Sequence, residues 1–344
     1  MKVSKRHVPI VVLALLAVAV LVSSRPVFTQ QPAAPAAAAS AVPPSHFHHI
    51  HLNSLNPAAA VDYYIKAFPT STKVNLGGFE GLKTVNVSVL FTKVNTAPPT
   101  GPATAIWHFG WLVPDSRDRM AMFKTMGLKS TPMFATPDGP MVDITSDTYP
   151  GNLTAEQVAA AKTNSVQPSH TGGYEYMLGP DNAMYENNGN SSERFDHLHM
   201  FAENPVCAQL WYSIHLGAPM PPQRGRGDAP PPPAPTMDTC KQPYGPPTFP
   251  SPTKEGWLRA PTAVARFDDV AFYIIPKQGP GPLAPTRGQV IDHMGLSVAD
   301  LPATVARLKR EGVKFLEEPH AWGNTQAAMI EGPDSVAIEL VEVK

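Results

Sequence analysis

The sequence has little charge of either sign. Charged residues make up 16% of the 344 residues, and 27 basic side chains almost balance 28 acidic ones, which leaves a formal net charge of -1. A protein that binds a phosphate backbone needs a basic patch or stripe, and no such stripe is visible here. The sequence therefore argues against a nucleic-acid partner.

Cysteine is also scarce. The chain contains only Cys207 and Cys240, so it can form at most one internal disulfide. In an oxidising compartment that bond would tie the segment around Cys240 to the helix predicted around Cys207. The alternative is two free thiols too far apart to bond, because nothing in the sequence fixes their separation.

The apolar run at the N-terminus is too short for an ordinary membrane span. Val8 to Val22 covers fifteen residues behind Lys2, Lys5 and Arg6, whereas a transmembrane helix needs about 20 apolar residues. This pattern is typical of an export signal, so residues 1–24 are predicted to be a signal peptide or a retained anchor that tethers the protein to a membrane, and a simple transmembrane protein is the alternative. A periplasmic or secreted location follows.

The remaining chain is long enough for two domains with full cores. Residues 25–45 are rich in Ala and Pro and predict a disordered linker, so folded structure begins near His46. The Pro-rich residues 219–262 predict a surface-loop insertion. A further insertion from Asp143 to Gly172 contains a predicted helix at residues 154–162, and it is either a lid over a neighbouring site or a decoration.

The C-terminal part of the chain has the pattern of one βαβββ unit. Gln289 to Val298 alternates as a strand, a helix follows with Asp300 as its N-cap, two short strands come next, and Ser335 to Val343 alternates as a closing strand. The apolar strand residues and the apolar helix face are expected to pack together.

His293 and Glu339 stand on the strand faces opposite those apolar residues. An unpaired carboxylate on a half-buried strand is costly, and a metal or another cation would offset that cost. The two side chains could share one concave sheet face. A hydrogen-bonded strand histidine is the alternative interpretation of His293 alone.

The same pattern occurs three more times. In each copy a histidine stands three residues before a large apolar residue on a strand, and a helix follows with Asn or Asp at its start. The histidines at this position are His49, His108, His197 and His293. The closing acid recurs once, because Glu186 in GPDNAMYE matches Glu339 in GPDSVAIE. Four units therefore form two tandem halves, residues 46–192 and residues 193–344.

Each half is predicted to hold one metal triad. The first triad is His49, His108 and Glu186, and the second is His197, His293 and Glu339. The histidines are 59 residues apart in the first half and 96 in the second, or about 50 to 55 without the 44-residue insertion. Two imidazoles and one carboxylate leave positions on a divalent ion for water, substrate or dioxygen. A cup that binds an organic ligand without metal is the alternative.

The motifs HHIHL, WHFGW, DHLHM and DHMGL, with GPDNAMYE and GPDSVAIE, resemble the modules of the vicinal oxygen chelate superfamily, the glyoxalase and extradiol dioxygenase group. The resemblance implies an α+β fold in which four tandem βαβββ modules pair into two cup-shaped domains. It also implies a divalent ion, Mn, Fe, Zn or Ni, that binds two vicinal oxygens of a small-molecule substrate. Fe(II) is readily oxidised outside the cytosol, so the other three ions suit an exported protein better.

The order His, His, Glu resembles extradiol dioxygenases and fosfomycin-resistance transferases more than glyoxalase I. In extradiol enzymes a Tyr commonly precedes the Pro of the final turn by four residues. Tyr176 has that position in the first half, as a candidate proton donor or oxygen-positioning group, and Met329 has it in the second. The resemblance implies dioxygenase, lyase or isomerase chemistry, in both cups or in one. A metal-free sequestering protein of the same fold is the alternative.

Five further histidines have a predicted role or location. His51 and His199 follow a predicted ligand by two residues and share its face, as second ligands or bases, or else as rim residues or hydrogen-bond partners. The predicted surface histidines are His46, His48 and His320.

Overall fold

The computed structural model describes residues 42–99, 105–134, 143–145, 174–189, 192–222, 230–245, 249–250, 257–278 and 281–343. Within them the chain has the predicted α+β fold, with eighteen strands and four α-helices. The predicted signal segment, most of the predicted linker and the predicted helix at 154–162 lie outside the described residues. No helix among the described residues combines the length and the apolar character that crossing a membrane requires.

Four modules built on the βαβββ pattern follow one another along the chain, and the second and third each contain one additional strand. The first contains β1 (His46–Ser54), α1 (Pro57–Ala67), β2 (Thr72–Leu76), β3 (Phe79–Lys83) and β4 (Ser88–Lys93). The second contains β5 (Ile106–Val113), α2 (Ser116–Thr125), β6 (Pro132–Phe134), β7 (Asp143–Thr145), β8 (Tyr174–Leu178) and β9 (Met184–Gly189). The third contains β10 (Arg194–Ala202), α3 (Pro205–Leu216), β11 (Phe249–Pro250), β12 (Trp257–Leu258), β13 (Ala263–Phe267) and β14 (Val270–Pro276). The fourth contains β15 (Ile291–Val298), α4 (Leu301–Arg310), β16 (Phe315–Trp322), β17 (Thr325–Glu331) and β18 (Ala337–Glu342).

The helices begin at the residues that the sequence indicated. Asn56 Oδ1 accepts a hydrogen bond from the Ala59 amide, and the side chain of Asp300 likewise caps α4. Asp115 caps α2 in the same way, whereas Asn204 occupies the N-cap position of α3 without a side-chain hydrogen bond. Capping satisfies amide groups that the first turn leaves unpaired, so these short polar residues fix where each helix starts.

The modules pair across the two halves of the chain. An eight-stranded sheet has the order β16-β17-β18-β15-β1-β4-β3-β2 and joins the fourth module to the first. A six-stranded sheet has the order β13-β14-β10-β5-β9-β8 and joins the third module to the second. We call the first sheet the terminal cup and the second the central cup.

The two cups and their four modules are thus confirmed, but the prediction that consecutive modules share a cup is wrong. Residues 46–192 and residues 193–344 each contribute one module to each sheet. Within each cup the two modules are joined by an antiparallel ladder, in which Ile50 lies opposite Met294 in the terminal cup and Phe109 lies opposite Leu198 in the central cup. Strand parity determines which face a side chain takes, but it does not determine which module supplies the neighbouring strand.

Consecutive modules still contact each other through the acidic turn before their closing strand. Asp181 and Asp334 both have a positive φ of 57°, and each carboxylate accepts a backbone hydrogen bond from the preceding module. Asp181 accepts from the amide of Leu55 at 3.2 Å, and Asp334 accepts from that of Glu203 at 3.0 Å. The two modules of each tandem half therefore pack against each other, although they do not share a cup.

One apolar core joins the two sheets on their helical sides. The ring of Phe68, directly after α1, stacks on Trp111 of β5 with centroids 3.9 Å apart, and Tyr64 of α1 stacks on Phe91 of β4. Phe47 and Phe195 also stack across the two sheets at 5.7 Å. Because Ile50 and the other core residues of the first strands face this core, the alternate side chains of those strands face the cup interiors.

The two cysteines form the disulfide that the sequence left open. Cys207 on α3 and Cys240 in the Pro-rich insertion are bonded across a sequence separation of 33. The bond fixes one point of the insertion to the helix that covers the central cup.

Candidate metal sites

A cluster of four metal-ligating side chains lies on the floor of the central cup, and we call it the His108 site. His108 comes from β5, Glu186 from β9, and His197 and His199 from β10. Each side chain offers one ligand atom, and these atoms lie within 4.8 Å of one another. The cluster forms because His199 lies directly opposite His108 in the antiparallel ladder, while Gly110 lies between His197 and Glu186.

Glu186 is the centre of the electrostatics in this site. Its Oε2 lies 3.1 Å from His108 Nε2 and 3.6 Å from His197 Nε2. Burial would raise the pKa of Glu186, but the imidazoles of His197 and His108 outweigh burial and hold it well below its usual range. Burial would likewise lower the pKa of His197, but Glu186 and Asp196 raise it to about 9. For His108 and His199 burial prevails, and it lowers the pKa of both imidazoles.

A second cluster lies in the terminal cup, and we call it the His49 site. His49 and His51 come from β1, His293 from β15 and Glu339 from β18. The ligand atoms of the three histidines lie within 4.8 Å of one another, and Glu339 Oε2 is 3.4 Å from His49 Nε2 and 4.0 Å from His293 Nε2. The construction repeats that of the His108 site, because His51 lies opposite His293 and Gly295 lies between His49 and Glu339.

The six predicted ligands all face the cup interiors, but the structure groups them differently from the prediction. His108 and Glu186 lie with His197, and His293 and Glu339 lie with His49. The predicted triads of His49 with His108 and of His197 with His293 are therefore wrong. The reason is the module pairing, since one cup combines the first strand of one half with the acid-bearing module of the other half.

His51 and His199 are part of the clusters rather than bystanders. Each stands two residues after a predicted ligand on the same strand and adds a third imidazole to its site. Of the predicted surface histidines, His46 is 57% and His320 36% exposed in their side chains. His48 is half-buried instead, and burial, with a smaller contribution from Lys83, lowers its pKa to about 4.

The donor atoms of the His49 site fit a divalent ion. Each imidazole is hydrogen-bonded through one ring nitrogen: His49 Nδ1 with His48 at 2.8 Å, His51 Nε2 with Thr92 at 2.7 Å, and His293 Nδ1 with Asp292 at 2.6 Å. The other ring nitrogens and Glu339 Oε2 are buried without a hydrogen-bond partner. Buried polar atoms are rarely left unpaired, and three imidazole nitrogens with one carboxylate suit ions such as Zn, Mn, Fe or Ni.

The His108 site fits an ion as well. His197 Nε2 faces Glu186, and its Nδ1 lies 3.0 Å from Asp196 Oδ2. This pairing holds the imidazole by one nitrogen and leaves the other for a metal, as partners of metal-bound histidines commonly do. His197 Nε2, His199 Nδ1 and His108 Nδ1 are buried without a hydrogen-bond partner.

Two glycines make room for these imidazoles. A Cβ atom on Gly110 would stand 2.1 Å from Cε1 of His197, and one on Gly295 would stand 2.0 Å from Cε1 of His49. Real Cβ atoms do not approach other atoms so closely, so any larger residue would displace the ring. Glycine at these positions is a requirement of close approach.

The His108 site opens onto a cavity of substrate size. This cavity has a volume of about 240 Å³ and is lined by Tyr176 together with Tyr174, Glu186, Asn188, Asp196, His197, His199, Leu258, Arg259, Pro261, Tyr273 and Ile275. Tyr176 lies opposite Glu186 in the ladder of β8 and β9, and its ring centroid is 5.1 Å from that of His108. The predicted catalytic tyrosine thus lies beside the cluster.

The His49 site is covered by aromatic side chains instead. The ring of Trp322 stacks on His49 with centroids 5.9 Å apart, and Phe79 stands edge-on to His51 at 4.6 Å. Gly77 lies so close to Trp322 that a Cβ atom there would be 2.5 Å from the indole ring. The turn of β2 and β3 therefore packs against the turn of β16 and β17 over the cup, and all four site residues are at most 5% exposed.

Several residues of these sites were not predicted. Asp196 and Asp292 orient His197 and His293, and their signal was the Asp directly before His in DHLHM and DHMGL. Trp322 had no such signal, because a tryptophan at a hairpin end does not by itself indicate which cup it covers. Met329, the counterpart of Tyr176, does lie opposite Glu339 as the motif alignment required.

The paired modules, with an imidazole and carboxylate cluster in each cup, define a protein of the double-cup βαβββ class. Residues 194–340 match the sequence model of the family described as the Glyoxalase/Bleomycin resistance protein/Dioxygenase superfamily. This match places residues 194–340 in that superfamily, which is the vicinal oxygen chelate group of the resemblance.

Solved structures share the fold at low sequence identity. Glyoxalase I from Zea mays superposes with a TM-score of 0.54 at 13% identity, over 87% of this chain and 92% of that one. A proposed dioxygenase from Bacillus subtilis superposes with a TM-score of 0.52 at 10% identity, over 88% of this chain and 86% of that one. No curated protein sequence matches the chain. These likenesses concern the fold alone.

Proposed function

We propose that the protein is an exported, divalent-metal-dependent enzyme that acts on a small oxygenated molecule in the central cup by dioxygenase, lyase or isomerase chemistry. The observation that carries this proposal is that four ligand atoms, from three buried side chains and the half-buried His199, lie within 4.8 Å of one another at the floor of a cavity of about 240 Å³. An open cavity above a metal cluster is typical of catalytic rather than structural sites.

The residues of the cup have separate tasks in this proposal. His108, Glu186 and His197 would hold the ion, with His199 as a fourth donor. When bound, the ion would act as a Lewis acid on two vicinal substrate oxygens. His199 lines the cavity and is half-buried, so as an alternative to ligation it is placed to exchange a proton with the substrate. Tyr176, on the opposite wall, would position or protonate a substrate oxygen through its hydroxyl.

The His49 site has a different task in the proposal. Its four donors are closed off by Trp322 and Phe79, so a bound ion there would have no room for a substrate. Closed sites with a full set of protein ligands usually stabilise a fold. The ion would clamp β1, the first strand, to the fourth module at the end of the chain.

Export is supported by the disulfide between Cys207 and Cys240, because such bonds persist mainly in oxidising compartments. It agrees with the basic and apolar N-terminal segment of the sequence. An oxidising compartment also favours Mn, Zn or Ni over Fe(II).

The test combines metal analysis with turnover. Protein purified without added metal is expected to carry up to two divalent ions, and Glu186→Gln and Glu339→Gln are each expected to lose one. Only Glu186→Gln should abolish turnover in a screen of catechols, 2-oxo acids and hemithioacetals, and Tyr176→Phe should slow turnover with its metal retained. The competing function is a metal-free binding protein of the same fold. A metal content near zero, together with tight binding of an organic ligand, would replace the enzyme by that alternative.

A further inference from the structure

The cavity above the His108 site contains a positive charge that the proposed chemistry does not use. Arg259 lines this cavity and is half-buried. Its Nε donates to the backbone oxygen of Gly245 at 2.9 Å, and its Nη1 donates to that of Lys277 at 3.4 Å. Among the residues that the structure describes, no carboxylate bonds to this guanidinium, which stays charged at any physiological pH.

The two carboxylates in the cavity lining are already engaged elsewhere. Glu186 lies against His108 and His197, and Asp196 bonds to His197 at 3.0 Å and to Arg194 at 3.4 Å. Neither one neutralises Arg259. A half-buried cation that the described residues hold only through carbonyl dipoles is a favourable partner for an anion, because partial desolvation strengthens charged hydrogen bonds.

The rest of the lining is mainly aromatic and aliphatic. The side chains that give it this character are Tyr174, Tyr176, Tyr273, Leu258 and Ile275. Aromatic walls favour flat ligands through offset and edge-on contacts. The volume of about 240 Å³ is below the roughly 300 Å³ at which ordinary ligand pockets begin, so the cavity suits a molecule of about one ring.

We propose that Arg259 forms an anion subsite and that the substrate is a small, ring-bearing carboxylate. The two vicinal oxygens of this substrate would face the His108 site, its ring would lie among the tyrosines, and its carboxylate would bind the guanidinium of Arg259. The metal-facing end of this assignment rests on the proposed function, whereas the anion subsite rests on Arg259 and the cavity walls alone.

The subsite is supplied by the Pro-rich insertion rather than by the module core. Arg259 lies near the end of the predicted insertion at residues 219–262, and its Gly245 partner belongs to the same insertion. Cys240 fixes that segment to α3 through its disulfide with Cys207. The insertion therefore determines which substrate binds, while the strands supply the chemistry.

The test compares two probes that differ only in the carboxylate, 3,4-dihydroxybenzoate and catechol, by isothermal titration calorimetry on the metal-loaded protein. The native protein is expected to bind the carboxylate about tenfold or more tightly, which is the range for one charged hydrogen-bond pair. In Arg259→Gln the ratio of the two dissociation constants should fall towards one, with the metal content unchanged. Arg266→Gln, which removes an exposed arginine from the same module, should keep the preference.

A second pair of probes separates the subsite from the metal. Benzoate and benzyl alcohol are titrated into protein stripped with EDTA, where benzoate should bind more tightly to the native chain but not to Arg259→Gln. A native protein without metal would refute the proposed enzyme and leave this comparison intact. An equal preference in native and Arg259→Gln protein, or no binding of either carboxylate, would refute the anion subsite.

Discussion

Gly110 lies against the imidazole of His197, and a methyl group at that position would stand 2.1 Å from Cε1 of the ring. The same relationship links Gly295 and His49 in the terminal cup, at 2.0 Å. Each glycine lies in the strand between the imidazole and the carboxylate of its site. The ligand clusters thus depend on two positions that carry no functional group.

Gly110→Ala is expected to displace His197 and remove the ion of the His108 site, with loss of turnover and retention of the other ion. Gly295→Ala is expected to displace His49 and remove the ion of the His49 site, with turnover and the ion of the His108 site retained. Mass-spectrometric metal analysis of each purified variant, with circular dichroism as a check on folding, measures the outcome. Gly281→Ala is the matched control, because a Cβ atom there meets nothing within 4 Å. Full metal content in both cup variants would contradict the proposed ligand sets.

Asp292→Asn and Asp196→Asn should weaken metal binding by about 10–100-fold without removing a ligand. Asp292 holds His293 Nδ1 at 2.6 Å, and Asp196 holds His197 Nδ1 at 3.0 Å. An amide in place of the carboxylate weakens this hydrogen bond and the basicity of the ring. Competition with a chelator of known affinity gives the dissociation constants.

Asp62→Asn is the control for these two variants, since Asp62 is exposed and pairs only with Lys73 among the described residues. The expected effects are also site-specific, so Asp292→Asn should weaken only the ion of the terminal cup. Equal weakening in the Asp62 variant would mean that overall charge, and not ring orientation, controls affinity.

The sequence was sufficient to predict the modules and the faces of their strands. Alternation placed His293 and Glu339 on the face away from the core, and the repeated turn aligned Glu186 with Glu339. It was not sufficient to predict which modules pair with each other, because a duplicated chain gives the same spacing whether neighbouring or distant modules share a sheet. The closure of one cup by Trp322 depends on two hairpin ends meeting in space, which no local pattern encodes.

Loss of the disulfide should destabilise the protein and leave both metal sites intact. The bond closes a loop with a sequence separation of 33, and such cross-links typically contribute about 2–4 kcal/mol, mainly by restricting the unfolded chain. Denaturant unfolding of Cys207→Ser/Cys240→Ser, compared with the native protein, measures this difference. A stability equal to that of the native chain would show that the insertion is held by its other contacts.

His48 should make the metal-free protein sensitive to mild acid. Burial, aided by Lys83, lowers the pKa of His48 to about 4, whereas an unfolded chain protonates this residue near its ordinary value of 6.5. Between these values the unfolded state binds the extra proton, so the stability that His48 contributes is present above pH 6.5 and is lost as the pH falls towards 4. At 1.36 kcal/mol for each pH unit, the loss is about 3 kcal/mol.

His48→Gln keeps a polar side chain that does not titrate, so its loss of stability on acidification should be smaller than the native loss by about 3 kcal/mol. Both proteins are stripped with EDTA, since bound metal would compete with protons at the neighbouring imidazoles. Urea unfolding at a series of pH values across this interval gives the two curves. Parallel curves would show that His48 is protonated as readily in the folded state as in the unfolded state, and that the acid sensitivity comes from the cluster histidines alone.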